Sequence, residues 1–100
     1  MGMAEQITLK RSNREIPLGP FTAGFLARTT LGMASALKGV GLIHQLEITI
    51  EESSVRLVVN GAEVPVNDFA GGIIRSTIIG MLAPLKEAAG GWPVYIGVRP

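Results

Sequence analysis

Few residues of this 100-residue chain carry side chains that do chemistry, and their types and spacing sort them. His44 is the single histidine and there is no cysteine. Disulfides, thiolate zinc sites, iron–sulfur clusters and cysteine nucleophiles are thereby excluded, and one histidine makes no metal site. A general base at His44 would need a nucleophile and an orienting acid beside it, and nothing in the sequence places them there. Its counterpart 48 residues on is Trp92, so the two read as cover for the core's edge at a strand entrance. Asp68, the only aspartate, reads as an acid in the first turn of a helix. Glu15 and Glu63 have the chemistry of a paired-carboxylate site, but each precedes a proline-bearing strand, where a charge guards a sheet edge. No serine stands in a nucleophile elbow, and neither phosphate-binding nor dinucleotide-binding glycine patterns occur. Lys38 and Lys86 are the most suggestive charges. They read first as cations at helix C-termini; the alternative is a symmetric grip on an acidic partner or small anion, aided by Arg28 or Arg75, which stand one position out of register. Lys38, Lys86, His44, Trp92, Arg28 and Arg75 are therefore the candidate binding residues. No catalytic residue, metal ligand or cofactor is assigned, and the inventory leans away from an enzyme.

What positions these residues is a duplication. Residues 6–52 laid over 54–100 without gaps give eleven identities in 47 pairs, among them Pro17/Pro65, Phe21/Phe69, Gly24/Gly72, Gly32/Gly80 and Ile48/Ile96. Chance supplies about three on such a composition. Further pairs exchange one apolar residue for another, such as Ile7/Val55, Ile16/Val64 and Ile50/Val98. The chain thus reads as one domain, 1–100, built from two repeats, 6–52 and 54–100, about a pseudo-twofold axis.

Within each repeat the pattern predicts ββαβ. Residues 7–11, 46–51, 55–59 and 94–99 alternate apolar and polar, the signature of strands with one solvated face. Asn60-Gly61 is a strong hairpin signal, with Ser12-Asn13 in the equivalent place. Pro17 and Pro65 lack the N–H of a central strand and mark edges. Helices of eighteen to twenty residues are expected from Gly19-Pro20 and from Asn67-Asp68, ending near Lys38-Gly39 and Lys86–Gly90, with Pro84 kinking the second. The fold class is α+β: tandem ββαβ units, each a three-stranded sheet in the order 2-1-3 plus a long helix. The alternatives are a single six-stranded sheet (a ferredoxin-like variant) or a double-psi-type barrel. On the second helix Ile73 and Ile79 fall outside the main apolar stripe, so a second covering surface is expected. The repeated glycines predict another backbone or bulky side chain close to each helix.

The stretch Asn60-Gly-Ala-Glu-Val-Pro-Val-Asn-Asp-Phe69, with Gly80-Met81 and Leu85-Lys86, resembles small uncharacterised bacterial proteins carrying an NGxEVPxNxF…GM…LK pattern in a ββαβ unit. The first repeat departs from it at Ser12-Asn13 and Gly19-Pro20. The resemblance implies a turn, an edge strand and a helix start, and no activity.

Composition bounds the rest. A chain that is 47% hydrophobic and 17% charged folds, and a net charge of +1 makes nucleic acid an unlikely partner. The solvated sheet face expected from the alternation carries Thr8, Lys10, Glu47, Thr49, Glu51, Arg56, Tyr95 and Arg99; one aromatic is too few for an RNA-stacking sheet. No apolar run reaches a membrane span, no secretory leader opens the chain, and Gln6 departs from the myristoylation pattern after Met1-Gly2. These readings together predict a cytoplasmic, non-catalytic interaction or assembly module that forms a homodimer or holds a protein partner through apolar helix surface, with no membrane partner. The competing expectation is a small-molecule or anion site near the pseudo-twofold axis.

Overall fold

The computed structural model describes residues 6–100; the Met1-Gly2 start lies outside the described residues. Element order is β1 (Gln6–Arg11), β2 (Arg14–Glu15), α1 (Pro20–Ser35), β3 (Leu46–Ile50), β4 (Val55–Val59), β5 (Ala62–Val64), α2 (Asp68–Leu82), a short 3-10 turn (Lys86–Ala88) and β6 (Val94–Arg99). Both repeats are therefore ββαβ. Their turns share a backbone as well: Ser12, Asn13, Asn60 and Gly61 all take positive φ, at 54°, 64°, 53° and 84°, the requirement of a type I′ hairpin.

The strands form one six-stranded sheet in the order β2-β1-β6-β3-β4-β5, antiparallel throughout. This is the single six-stranded sheet given as an alternative; it corrects the expectation of two three-stranded sheets in the order 2-1-3 and replaces the barrel. Each repeat's third strand lies beside the first strand of the other: β6 pairs with β1, and β3 with β4. β1 and β3 run parallel with β6 between them, so each crossover is a split βαβ. The reason is local. Residues 51–54 close a tight hairpin, with the Glu51 amide donating to the Ser54 carbonyl at 2.9 Å, and a short loop costs less closure entropy than the long excursion from β1 through α1 to β3. The six-stranded sheet keeps the twofold symmetry, with the axis passing between β6 and β3.

Polar locks tie the repeats together at equivalent places. The Ser12 amide donates to the Pro93 carbonyl at 2.9 Å, and the Asn60 amide to the Gln45 carbonyl at 2.8 Å; both donors and acceptors stand 48 apart. The Asn60 Oδ1 accepts from the His44 and Gln45 amides at 2.7 and 3.0 Å, while its Nδ2 donates to the Leu42 carbonyl. On the other side the Ser12 hydroxyl accepts from the Gly91 amide at 3.1 Å. Arg11 and Arg14 donate to the carbonyls of Ala88, Ala89 and Gly91 at 3.0–3.1 Å. Each hairpin thus holds the other repeat's entry to its last strand.

One face of the sheet is apolar. A row Leu9–Ile96–Ile48–Leu57 crosses the four central strands in register, and every member is buried. Both helices pack on this face, through Leu26, Ala27, Thr30 and Ala34 of α1 and Ile74, Ile78 and Leu82 of α2. Each large apolar side chain so buried contributes about 1.5–3 kcal/mol. Buried Thr30 satisfies its hydroxyl by donating to the Leu26 carbonyl at 2.8 Å. The helices are shorter than expected: α2 ends at Leu82, and although Ala83 still takes helical angles, Pro84 has no N–H to donate to the Gly80 carbonyl and cannot continue the ladder. Pro84 does not kink it, and Lys38 and Lys86 lie past the helix ends rather than in their last turns. β2 and β5 are the sheet's edges, as the prolines predict, but they end at Glu15 and Val64, just before Pro17 and Pro65.

Candidate functional site

The outer surface of the helices carries what the core lacks. Among the described residues the fully buried core is built of leucine, isoleucine, valine and alanine, with the partly buried Trp92 ring packed against it and no phenylalanine. All three phenylalanines of the chain stand on the helices and are exposed: Phe21 at 80%, Phe25 at 53% and Phe69 at 78%, with Ile73 at 48%. They form two equivalent pairs, Phe21/Phe69 and Phe25/Ile73, each pair 48 residues apart. Within each helix the two residues are four apart, hence on one side, the side facing away from the buried stripe. The Phe21 and Phe25 rings meet at 5.8 Å between centroids with a 45° tilt.

The helix starts fix where these side chains stand. α2 begins on Asn67, whose Oδ1 accepts from the Ala70 amide at 2.8 Å, a side-chain N-cap. α1 begins on Gly19 without one, and Pro20 sets the first turn. A shallow depression of about 490 Å³ beside Phe69 and Ile73 is lined also by Asp68, Gly72, Ser76 and Thr77.

Further along, the outer faces are bare. A Cβ built on Gly32, Gly72 or Gly80 meets nothing within 4 Å, and one on Gly24 meets only the Arg28 side chain at 3.7 Å. The backbone or bulky side chain expected to press on Gly32 and Gly80 is therefore not supplied by the described residues. Ile79, expected beyond the stripe, packs partly buried against the core, while Ile73 stays outside it. Leu42 is exposed by itself in the loop before β3, which is ordinary for a surface.

The six candidate binding residues do not assemble into one site. Lys38 lies with Asn60, Glu63 and Pro65 by the β5 edge. Lys86 belongs to the turn whose next carbonyl, that of Glu87, accepts from Arg14 of β2. About 24 Å of sheet separates those edges, so the two lysines grip nothing in common. Glu15 and Glu63 are parted in the same way, and Glu63 faces Arg56 at 3.4 Å. His44 is exposed and engages Asn60 through its amide. Trp92 and Arg75 do come together: the Arg75 guanidinium sits 5.0 Å from the indole centroid and Arg11 lies 5.7 Å from it. Arg75 also donates to the carbonyls of Glu51 and Ser54, which spends it on holding the β3–β4 turn. Arg28 stands on the outer side of α1, exposed.

The helix-free sheet face is polar. A depression of about 420 Å³ over Gly97 is lined by Gln6, Thr8, Gln45, Glu47, Tyr95 and Arg99. Burial and the nearby Glu47 carboxylate raise the Tyr95 phenol above its ordinary range, against a smaller opposing pull from Arg99. Glu47 accepts from the Gln45 side chain at 2.8 Å. Among the described residues no three histidine, aspartate or glutamate side chains gather as a metal would need, and no helix is long and apolar enough to cross a membrane.

Sequence reasoning marked Phe21 and Phe69 as repeat identities without seeing that they face outward. The signal was available. At 100° per residue they and their i+4 partners fall off the Leu26–Thr30–Ala34 and Ile74–Ile78–Leu82 stripes. No protein-family model, no curated protein and no solved structure matches this chain.

Proposed function

We propose that this chain is a non-catalytic interaction and assembly module that works through the outer face of α1 and α2. The observation that carries the reading is the placement of every phenylalanine outside the core, in two pairs repeated by the duplication. Aromatic residues dominate the energetics of cores and interfaces alike. A chain that builds its core from aliphatic residues and reserves its phenylalanines for one exposed face has put that apolar area where a partner would cover it. The chemistry inventory supports the same reading, since the six candidate charges and rings are dispersed or hold loops.

Serine at Phe21, Phe25, Phe69 and Ile73 together tests it. The variant should keep a dispersed amide spectrum, because these side chains serve a partner and not the fold. The dilute native chain should be retained on a phenyl matrix, and the variant should lose that retention. An unfolded variant would make the patch part of the core, and unchanged retention would place the adhesive surface elsewhere; either overturns the reading.

A further inference from the structure

Resting on that reading, we infer that the partner is a second copy of this chain, seated face to face so that α1 of one copy lies antiparallel on α2 of the other. Area, shape and charge support it. The three phenylalanines alone present about 400 Å², half of the roughly 800 Å² per partner that a stable interface covers. Ile73 and the bare helix surface beyond it supply the rest. The described residues form a slab only 19 Å thick, 40 Å by 35 Å across, with both helices on one broad face, so a second slab meets it without obstruction.

The shapes are self-complementary. Each helix has large apolar side chains near its start and an uncovered glycine seven residues after the second of them, Phe25 to Gly32 and Ile73 to Gly80. Antiparallel packing sets the bulky start of one helix on the bare turn of the other, and a glycine surface lets two helices approach closely. A twofold operator makes this contact twice, as an isologous interface requires. Charge bears on the pairing: α1 on the partner's α1 would bring the two Arg28 side chains to about one level, whereas α1 on the partner's α2 puts Arg28 at the level of the uncharged Ser76-Thr77 step of the partner.

Sedimentation at micromolar concentration tests the proposal, with the Gly32→Leu/Gly80→Leu variant beside the native chain. The native chain should sediment at twice its 10.5 kDa mass. The variant should be monomeric yet folded, and in solution dilute enough to dissociate the native dimer it should be at least as stable as the native chain, since a Cβ at either glycine meets nothing among the described residues of one copy. With no native cysteine to interfere, Phe25→Cys and Gly80→Cys chains mixed together should cross-link to each other in preference to themselves. A monomeric native chain that still binds the phenyl matrix would leave the exposed face as an interaction surface and overturn the second copy as its occupant. A dimer that survives the leucine variant, or Phe25→Cys chains that cross-link chiefly to each other, would overturn the packing.

Discussion

Tyr95 is the chain's one tyrosine, and its ring explains a glycine in the middle of a strand. A Cβ on Gly97 would lie 2.7 Å from the phenol oxygen and 3.2 Å from the ring. Glycine inside a strand is otherwise unfavourable, and here the ring two residues back lies over the space a side chain would fill. The same placement half-buries the phenol beside Glu47, which raises its titration above the ordinary value of 10.0. The sign of the stability effect follows from proton binding. A phenol that holds its proton more tightly when folded contributes stability that is fully present below the unfolded value and is lost as pH rises through the folded one. We expect an ultraviolet titration of this single tyrosine to give a midpoint above the ordinary range, lowered by Glu47→Gln. Stability should fall as pH climbs past the ordinary phenol range, and Tyr95→Phe should flatten that fall. A midpoint at or below the ordinary value would contradict the placement of the ring.

At the scale of elements, the helices correct a sequence expectation in a measurable way. A glycine at position 80, inside a helix, predicts a close neighbour that a larger residue would strike. Within one copy there is none, so helix propensity alone acts there. In solution dilute enough to dissociate the proposed dimer, Gly80→Ala should raise the free energy of unfolding by up to about 1 kcal/mol, read from urea denaturation; a loss would mean a neighbour presses on that turn. Strands, hairpins and edges were legible because their signals are local: alternation, Asn-Gly, and prolines that cannot donate. Sheet order was not, and the duplication is why. Ile48 and Ile96 are identical and Ile50 matches Val98, so either third strand offers the same apolar row to either first strand. Pattern cannot choose between equal partners; the short turn at 51–54 does. The candidate site was half legible for a related reason. The phenylalanines stood out as repeated, but a charge inventory points to lysines and arginines, which this fold spends on loops or sets at opposite edges.

For the whole molecule, the exchange of third strands makes each repeat dependent on the other. Residues 6–52 alone would leave β1 without its neighbour β6 and β3 without its neighbours β4 and β6, with half of the central row unpaired. A 47-residue unit with such open edges lacks the core to fold by itself. Two repeats together close the arrangement, and nothing in the pairing requires them to share a chain, since the only covalent link is the exposed turn around Glu52-Ser53. A chain cut there should therefore behave as a complementing pair. The fragments 1–52 and 53–100 should each lack stable sheet structure in isolation at low concentration and recover the native far-ultraviolet spectrum when mixed in equal amounts. The second fragment alone, at higher concentration, should form a symmetric dimer with two β6 strands at its centre. There Ile96 would meet the partner's Ile96 where Ile48 meets Ile96 now, a contact of the same chemistry. If instead either fragment folds as a monomer, its third strand must find its own first strand, and the order 2-1-3 within a repeat would be the more stable pairing once the hairpin at 51–54 is broken.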